Sequence, residues 1–350
     1  MSGKERITIN SAAISPNPVT AGSKYYLSVG IEYNIDELTY PYTYAYDYTG
    51  VERMSINAVK ATINGQTYSL TLNSSTGNYE ATITAPSSSS FNKSGGYYGV
   101  SLTATDTAGN SKTIDTTDSS LGGNLKLVVK EKVAPVISIT APTASALIAN
   151  NKPTITWTVT DADSGVNSNS ISITIDSGSA ITSGITKTTT SNGYSCSYTP
   201  TSALADGSHT IKINATDNDG NAATQKSVTF SIDTVPPTLS VSAPANNLVT
   251  NVSSVTVSGT TNDTTSSPVT LTVNGKSVTV NSSGAFSTTV SLSEGTNTIT
   301  VIAVDSAGKK TTVTRTVTLD TVAPTFSAVS VSPNPVDAGK TFIISVTVTD

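Results

Sequence analysis

The sequence predicts an all-β chain of tandem sandwiches, and three observations carry that prediction. The first is a repeat. Asp106, Asp217 and Asp305 each lie ten residues after a glycine (Gly96, Gly207, Gly295) and three before another (Gly109, Gly220, Gly308). The surrounding text is matched too: GGYYGVSLTATDTAGN, DGSHTIKINATDNDGN and EGTNTITVIAVDSAGK. One unit is therefore written at least three times. The second is period-two alternation. Ile155, Trp157 and Val159 alternate with threonine, and Ile211, Ile213 and Ala215 alternate with polar residues. Strands of this length, wet on one face and apolar on the other, pack face to face as sandwiches. The third is composition: Ser, Thr, Val and Asn dominate, and runs of helix formers are missing.

Each element follows from local chemistry. Asn64-Gly65 and Asn274-Gly275 predict tight hairpins, whose two central residues both need positive φ. Three similar junctions separate the repeats: KEKVAPVISITAP (130–142), SIDTVPPTLSVSAP (231–244) and TLDTVAPTFSAVSVSP (318–333). Proline cannot donate to a ladder, so each junction breaks one sheet from the next and stiffens the link. Asp217 to Pro236 and Asp305 to Pro324 both span nineteen residues, a turn plus one closing strand. Asp106 to Pro135 is ten residues longer, which places an insertion near 113–123. For 350 residues this gives modules at 1–132, 133–234 and 235–321, with a partial two-strand module at 322–350.

The NG hairpin, the EGxNTITVxAxDxAG run and the terminal DTxPP resemble the tandem bacterial Ig-like domains of surface proteins, adhesins and phage structural proteins. The resemblance covers 134–321 well and the first unit more loosely. It implies tandem Ig-like β-sandwiches joined by short proline-containing linkers. It says little about function, because one such fold serves many proteins.

Two features depart from a plain array. SPNPVTAG at 15–22 recurs as SPNPVDAG at 332–339, and residues 326–350 align with 9–33 without a gap. Two strands cannot bury a core alone. The segment is a truncated copy, a hairpin folded against the third module, or a strand pair offered to another subunit. The second departure is YNIDELTYPYTYAYDY at 33–48. Tyr40, Tyr42, Tyr44, Tyr46 and Tyr48 recur at strict period two, so an extended strand would set all five on one face. Such a stripe either covers its own sandwich or forms a contact surface for a sugar or another protein.

Catalytic chemistry is not predicted. His209 is the only histidine and Cys196 the only cysteine. His209 reads as a polar strand-start residue, and Cys196, between Tyr194 and Tyr198, as a small core residue. Nucleophile, zinc, P-loop and dinucleotide motifs are absent. The net charge of −5, with few clustered Lys and Arg, argues against nucleic acid. The apolar stretches are all strand-length, which argues against membrane insertion. Calcium is the one metal the acids admit, through Asp161, Asp163, Asp217, Asp219 and Asp233. The same acids serve as turn caps that need no ion, and the expectation is turn residues with no strongly held metal and no cofactor.

The expected function is a non-enzymatic structural or binding protein. The first assignment is an Ig-like virion component of tail, baseplate or head surface. SPNPVDAGKTFIISVTVTD resembles C-terminal segments of phage proteins from Gram-positive hosts, and the N-terminus has no apolar h-region of a signal peptide. The first module would assemble with itself or other virion subunits, and the others would meet cell-surface glycan. The alternative is a fragment of a bacterial surface adhesin or stalk. A third option is an accessory module of a carbohydrate enzyme.

Overall fold

The computed structural model describes residues 7–33 and 55–350. Apart from one 3-10 turn at Ser94–Gly96, the regular structure there is entirely strand. The predicted all-β class holds. Residues 1–143, 154–199 and 210–228 group as one compact unit, and residues 144–153, 200–209 and 229–350 as a second.

In the first unit, β1 (Ile7–Ser15), β2 (Val19–Thr20), β3 (Lys24–Tyr33), β4 (Ile56–Ile63), β5 (Gln66–Leu72), β6 (Tyr79–Thr84), β7 (Tyr98–Asp106), β8 (Ser111–Ile114), β9 (Lys126–Leu127) and β10 (Val129–Lys130) build the first sandwich. One sheet path runs β1-β3-β6-β5-β4-β7-β8, with β9 on β7. The β5–β6 step is only two residue pairs long. Both ends of the path feed one core, with Leu27 and Val29 from one side and Ala61, Val100 and Leu102 from the other. The path therefore folds back on itself around that core. A short parallel pair, β10 with β2, ties the end of the module to its start. Strand β7 alternates buried and less buried positions along its whole length, as period two requires.

The next strands are β11 (Val136–Ala141), β12 (Leu147–Ile148), β13 (Ile155–Thr160), β14 (Ser172–Ile175), β15 (Thr186–Thr190), β16 (Gly193–Tyr198), β17 (Gly207–Asn214) and β18 (Lys226–Ile232). Within the first unit, β11, β13, β16 and β15 form an antiparallel sheet in that order, and β14 pairs with β17. The third repeat, in the second unit, has β19 (Thr238–Ala243), β20 (Leu248–Thr250), β21 (Ser254–Asn262), β22 (Thr270–Val273), β23 (Lys276–Val278), β24 (Ala285–Ser291), β25 (Gly295–Val304) and β26 (Lys310–Leu319). Its sheets are β19-β21-β24 and β20-β26-β25-β22-β23, around a core that includes Val257, Phe286, Ile299 and Val301. Asn64 and Gly65 have φ of 47° and 77°, and Asn274 and Gly275 have 47° and 78°. Both NG hairpins are thus the tight turns that the dipeptide specifies.

The repeats fill the same place with different bulk. In the second repeat Trp157 on β13 faces Cys196 on β16, and both are buried. At the corresponding position of the third repeat, Gly259 on β21 faces Phe286 on β24. A Cβ on Gly259 would lie 2.8 Å from Phe286 Cζ and would collide with the Ser240 carbonyl. The ring comes from one strand in one repeat and from its neighbour in the other.

Among the described residues, strands β27 (Thr325–Ser332) and β28 (Ile343–Thr349) pair with each other only. All their residues are exposed, Phe326, Ile343 and Ile344 included. The hairpin does not fold against the third repeat, which was one of the three expectations for it.

Candidate functional site

The site begins with the repeat aspartate. β7, β17 and β25 each run into a turn whose fourth residue is glycine: Gly109, Gly220 and Gly308, with φ of 88°, 97° and 86°. That backbone conformation suits glycine. It brings the amide of the fifth residue back onto the aspartate. Asp106 Oδ1 accepts from Asn110 N at 2.8 Å, Asp217 Oδ1 from Asn221 N at 2.7 Å, and Asp305 Oδ1 from Lys309 N at 2.8 Å. These acids are turn caps, as expected of the DxxG pattern. All three are buried.

A second acid follows β13 and β21. Asp161 Oδ1 accepts from Asp163 N and Gly165 N. Asp263 Oδ1 accepts from Thr265 N at 2.8 Å and Ser266 N at 2.7 Å. The third acid sits in the segment that enters each repeat: Glu131 before β11, Asp233 before β19. The fold brings these acids together as two triads, Glu131–Asp161–Asp217 and Asp233–Asp263–Asp305. In each triad three carboxylate oxygens, one per residue, lie within 4.8 Å of one another, and every member is buried. Two unit charges at such a distance repel by roughly 3 kcal/mol at an effective dielectric of about 20. Three buried carboxylates therefore need a compensating cation, protons or strong donors. Burial pushes the Glu131 carboxyl above its ordinary range, and the charges of Asp161 and Asp163 push the same way against the Ser164 hydrogen bonds.

The acids named from the sequence divide among three roles. Asp161 and Asp217 share the first triad, and Asp233 belongs to the second. Asp163 and Asp219 bind backbone instead. Both oxygens of Asp163 accept from Ser89 N, at 3.0 and 2.9 Å, and Asp219 Oδ2 accepts from Glu131 N at 2.9 Å. Glu131 and Asp263 were not among the residues named, and Asp305 was named as a repeat aspartate but not as a metal candidate. A signal for them exists: Glu131 to Asp161, Asp233 to Asp263 and Asp320 to Asp350 are all thirty residues apart. In the first module Tyr33 ends β3, and its hydroxyl donates to Asp106 Oδ2 at 3.3 Å.

Tyr40, Tyr42, Tyr44, Tyr46 and Tyr48 lie outside the described residues. Of the other tyrosines of that module, Tyr97 and Tyr98 face Lys126 and Lys93, with the ammonium groups 5.0 and 5.2 Å from the ring centres. His209 is buried, with Nε2 2.8 Å from the Ala205 carbonyl oxygen and its ring against Phe230. Cys196 is buried and its thiol is pushed up to about 11 by burial. A thiol held so far into its protonated form is a poor nucleophile. Among the described residues no helix is long and apolar enough to cross a membrane.

Residues 136–234 match the bacterial Ig-like domain model. That repeat is a bacterial Ig-like domain. Residues 237–321 match a second model, glucodextranase domain B. Among solved structures, the tetra-tandem repeat in the extending region of a large adhesion protein is 21% identical, over 97% of this chain and 88% of that one, with a TM-score of 0.33. A D1–D4 ectodomain fragment of ICAM-5 is 11% identical over 97% and 98%, with a TM-score of 0.42. Fibronectin(III)-like modules of Clostridium thermocellum CbhA are 20% identical over 53% and 94%, with a TM-score of 0.35. No curated protein matches the chain. Ig-like domain families are generally non-enzymatic, and tandem domains of this kind are structural or binding modules.

Proposed function

We propose that this Ig-like chain is a non-enzymatic connector and binding protein of a virion surface, whose linkers are fixed to the following sandwiches by a hard divalent cation, calcium foremost. The observation that carries the connector reading is the pair of acid triads. Each joins one acid from a linker to two acids from loops of the sandwich it enters. In the second triad Asp233 Oδ2 and Asp305 Oδ2 are buried without a hydrogen-bond partner among the described residues, and the two residues are 0% and 5% exposed. Ser266 Oγ, three residues after Asp263, is likewise buried and unpartnered. Clustered, unsatisfied oxygens are what calcium selects. A bound ion at a hundred times its dissociation constant would add about 2.7 kcal/mol to the folded state. Melting with calcium and with chelator tests this: an equal melting temperature in both overturns the cation reading.

The virion assignment rests on the resemblance of 332–350 to phage C-terminal segments. The first module assembles with itself or with other virion subunits through Tyr40, Tyr42, Tyr44, Tyr46 and Tyr48, and the later modules meet cell-surface glycan. Peptide mass spectrometry of particles purified from lysed cultures should find the chain in the particle. With Tyr42, Tyr44 and Tyr46 changed together to Ser, it should no longer incorporate, while the second and third repeats melt unchanged. A second reading, a bacterial adhesin or stalk, is favoured by the regular thirty-residue acid interval, the pattern of a long array. Recovery in the cell-wall fraction and not in particles would decide for it.

A further inference from the structure

The two triads differ in the linker acid, Glu131 against Asp233, and at one further position of the repeat. The fourth residue after the repeat aspartate is Asn110, Asn221 and then Lys309. In the first two copies its side-chain amide donates to the remaining carboxylate oxygen. Asn110 Nδ2 reaches Asp106 Oδ2 at 2.8 Å, and Asn221 Nδ2 reaches Asp217 Oδ2 at 2.6 Å. Lysine has no such amide, and Asp305 Oδ2 is left buried and without a partner among the described residues. We propose that the second triad, Asp233–Asp263–Asp305, is the calcium site of this chain, and that Asn221 keeps the first triad, Glu131–Asp161–Asp217, from taking the ion.

The surroundings of the linker acids point the same way. At the first linker the protein's own donors close the junction. Glu131 Oε1 accepts from Ser164 N at 2.6 Å, and the Glu131 carbonyl accepts from Asn221 Nδ2 at 3.2 Å. Lys130 Nζ donates to the Asp219 carbonyl at 3.3 Å. The Asn221 amide hydrogens thus lie between the carboxylate and the linker, where a cation would meet their positive ends. At the second linker, among the described residues, Asp233 Oδ1 accepts only from Val235 N of its own turn, at 3.1 Å, and Oδ2 has no donor. A buried anion without a donor is costly unless an ion meets it. Both triads have a buried serine beside them, Ser164 and Ser266, so the presence of a serine does not set the difference. The carboxylates do.

The proposal rests on the cation reading above, and the test separates the two. Chelator-treated chain is dialysed to equilibrium against radioactive calcium chloride at neutral pH, and bound ions per chain are counted. The expected count is one. Asp305→Asn, which keeps the acceptor for Lys309 N, should abolish it, and Asp217→Asn should leave it. Asn221→Ala should raise the count to two, and Lys309→Asn should weaken binding at least tenfold. Should Asp305→Asn fail to fold by circular dichroism, the Asn221 and Lys309 variants still decide, because neither alters a ligand. Two ions on the unaltered chain, no gain in Asn221→Ala, or an ion lost in Asp217→Asn but kept in Asp305→Asn, overturns the inequality of the sites. No bound ion overturns the cation reading itself, and this proposal with it.

Discussion

Replacing Phe286 with alanine should unfold the third repeat early and leave the first untouched. The ring is 4% exposed and sits over Gly259, the residue opposite it on β21. Phe-to-Ala changes in cores cost about 3–5 kcal/mol, with the upper part of the range where the site cannot collapse. Here the facing residue has no side chain to lean into the hole, so about 4 kcal/mol is expected. Unfolding entropy of about 2.1 cal/mol/K per residue, over the 85 residues of 237–321, gives roughly 0.18 kcal/mol/K. The third repeat should then melt about 20 °C lower. Ser287→Ala, on the exposed side of the same strand, should stay within about 0.5 kcal/mol. Scanning calorimetry gives the shift. Hydrogen exchange read by mass spectrometry places it, with protection lost in peptides from 254–319 and kept in those from 7–33 and 55–114. A shift under about 5 °C would mean that Phe286 does not fill the space Gly259 leaves, and the packing argument would fail.

Two further outcomes are expected. Asp163→Ala leaves Ser89 N without its acceptor; exchange of the Ser89 amide should speed up, at a stability cost of about 1–3 kcal/mol, and unchanged exchange would show that the tether is not held in solution. Asp106 titrates below the ordinary carboxylate range, chiefly through the Asn110 side chain, so its contribution is present above the unfolded value of about 3.9 and is lost as pH falls through the lower folded value; Asn110→Ala should move this acid loss of the first module to higher pH, and superimposable melting-versus-pH curves would contradict it.

The sequence made the strands readable because their signals are local. Period two set β7, β13 and β25, and Asn-Gly set two hairpins by backbone sterics alone. The turn-capping role of Asp161 and Asp217 was readable for the same reason. The triads were not. Glu131 meets Asp217 across 86 residues of chain, and that meeting depends on the sandwich closing between them. Asp233 was grouped with Asp161 and Asp217 by residue type, whereas the fold assigns it to the next repeat. Asp263 follows a strand in a loop without the DxxG text, so only the thirty-residue interval marks it. The tyrosine stripe shows regular spacing but not what its face covers, since the spacing of a strand is the same against a core or against a partner.

The exchange of bulk between β13–β16 and β21–β24 bears on how neighbouring copies keep apart while folding. Tandem repeats risk trading strands, since each offers its neighbour a similar backbone partner. A hybrid pairing of β21 with β16 would set Gly259 opposite Cys196 and leave a hole. The reverse hybrid, β13 with β24, would drive Trp157 into Phe286 and overfill the same space. Both mispairings carry a packing penalty that the native pairs avoid, and similar backbones thereby acquire separate identities.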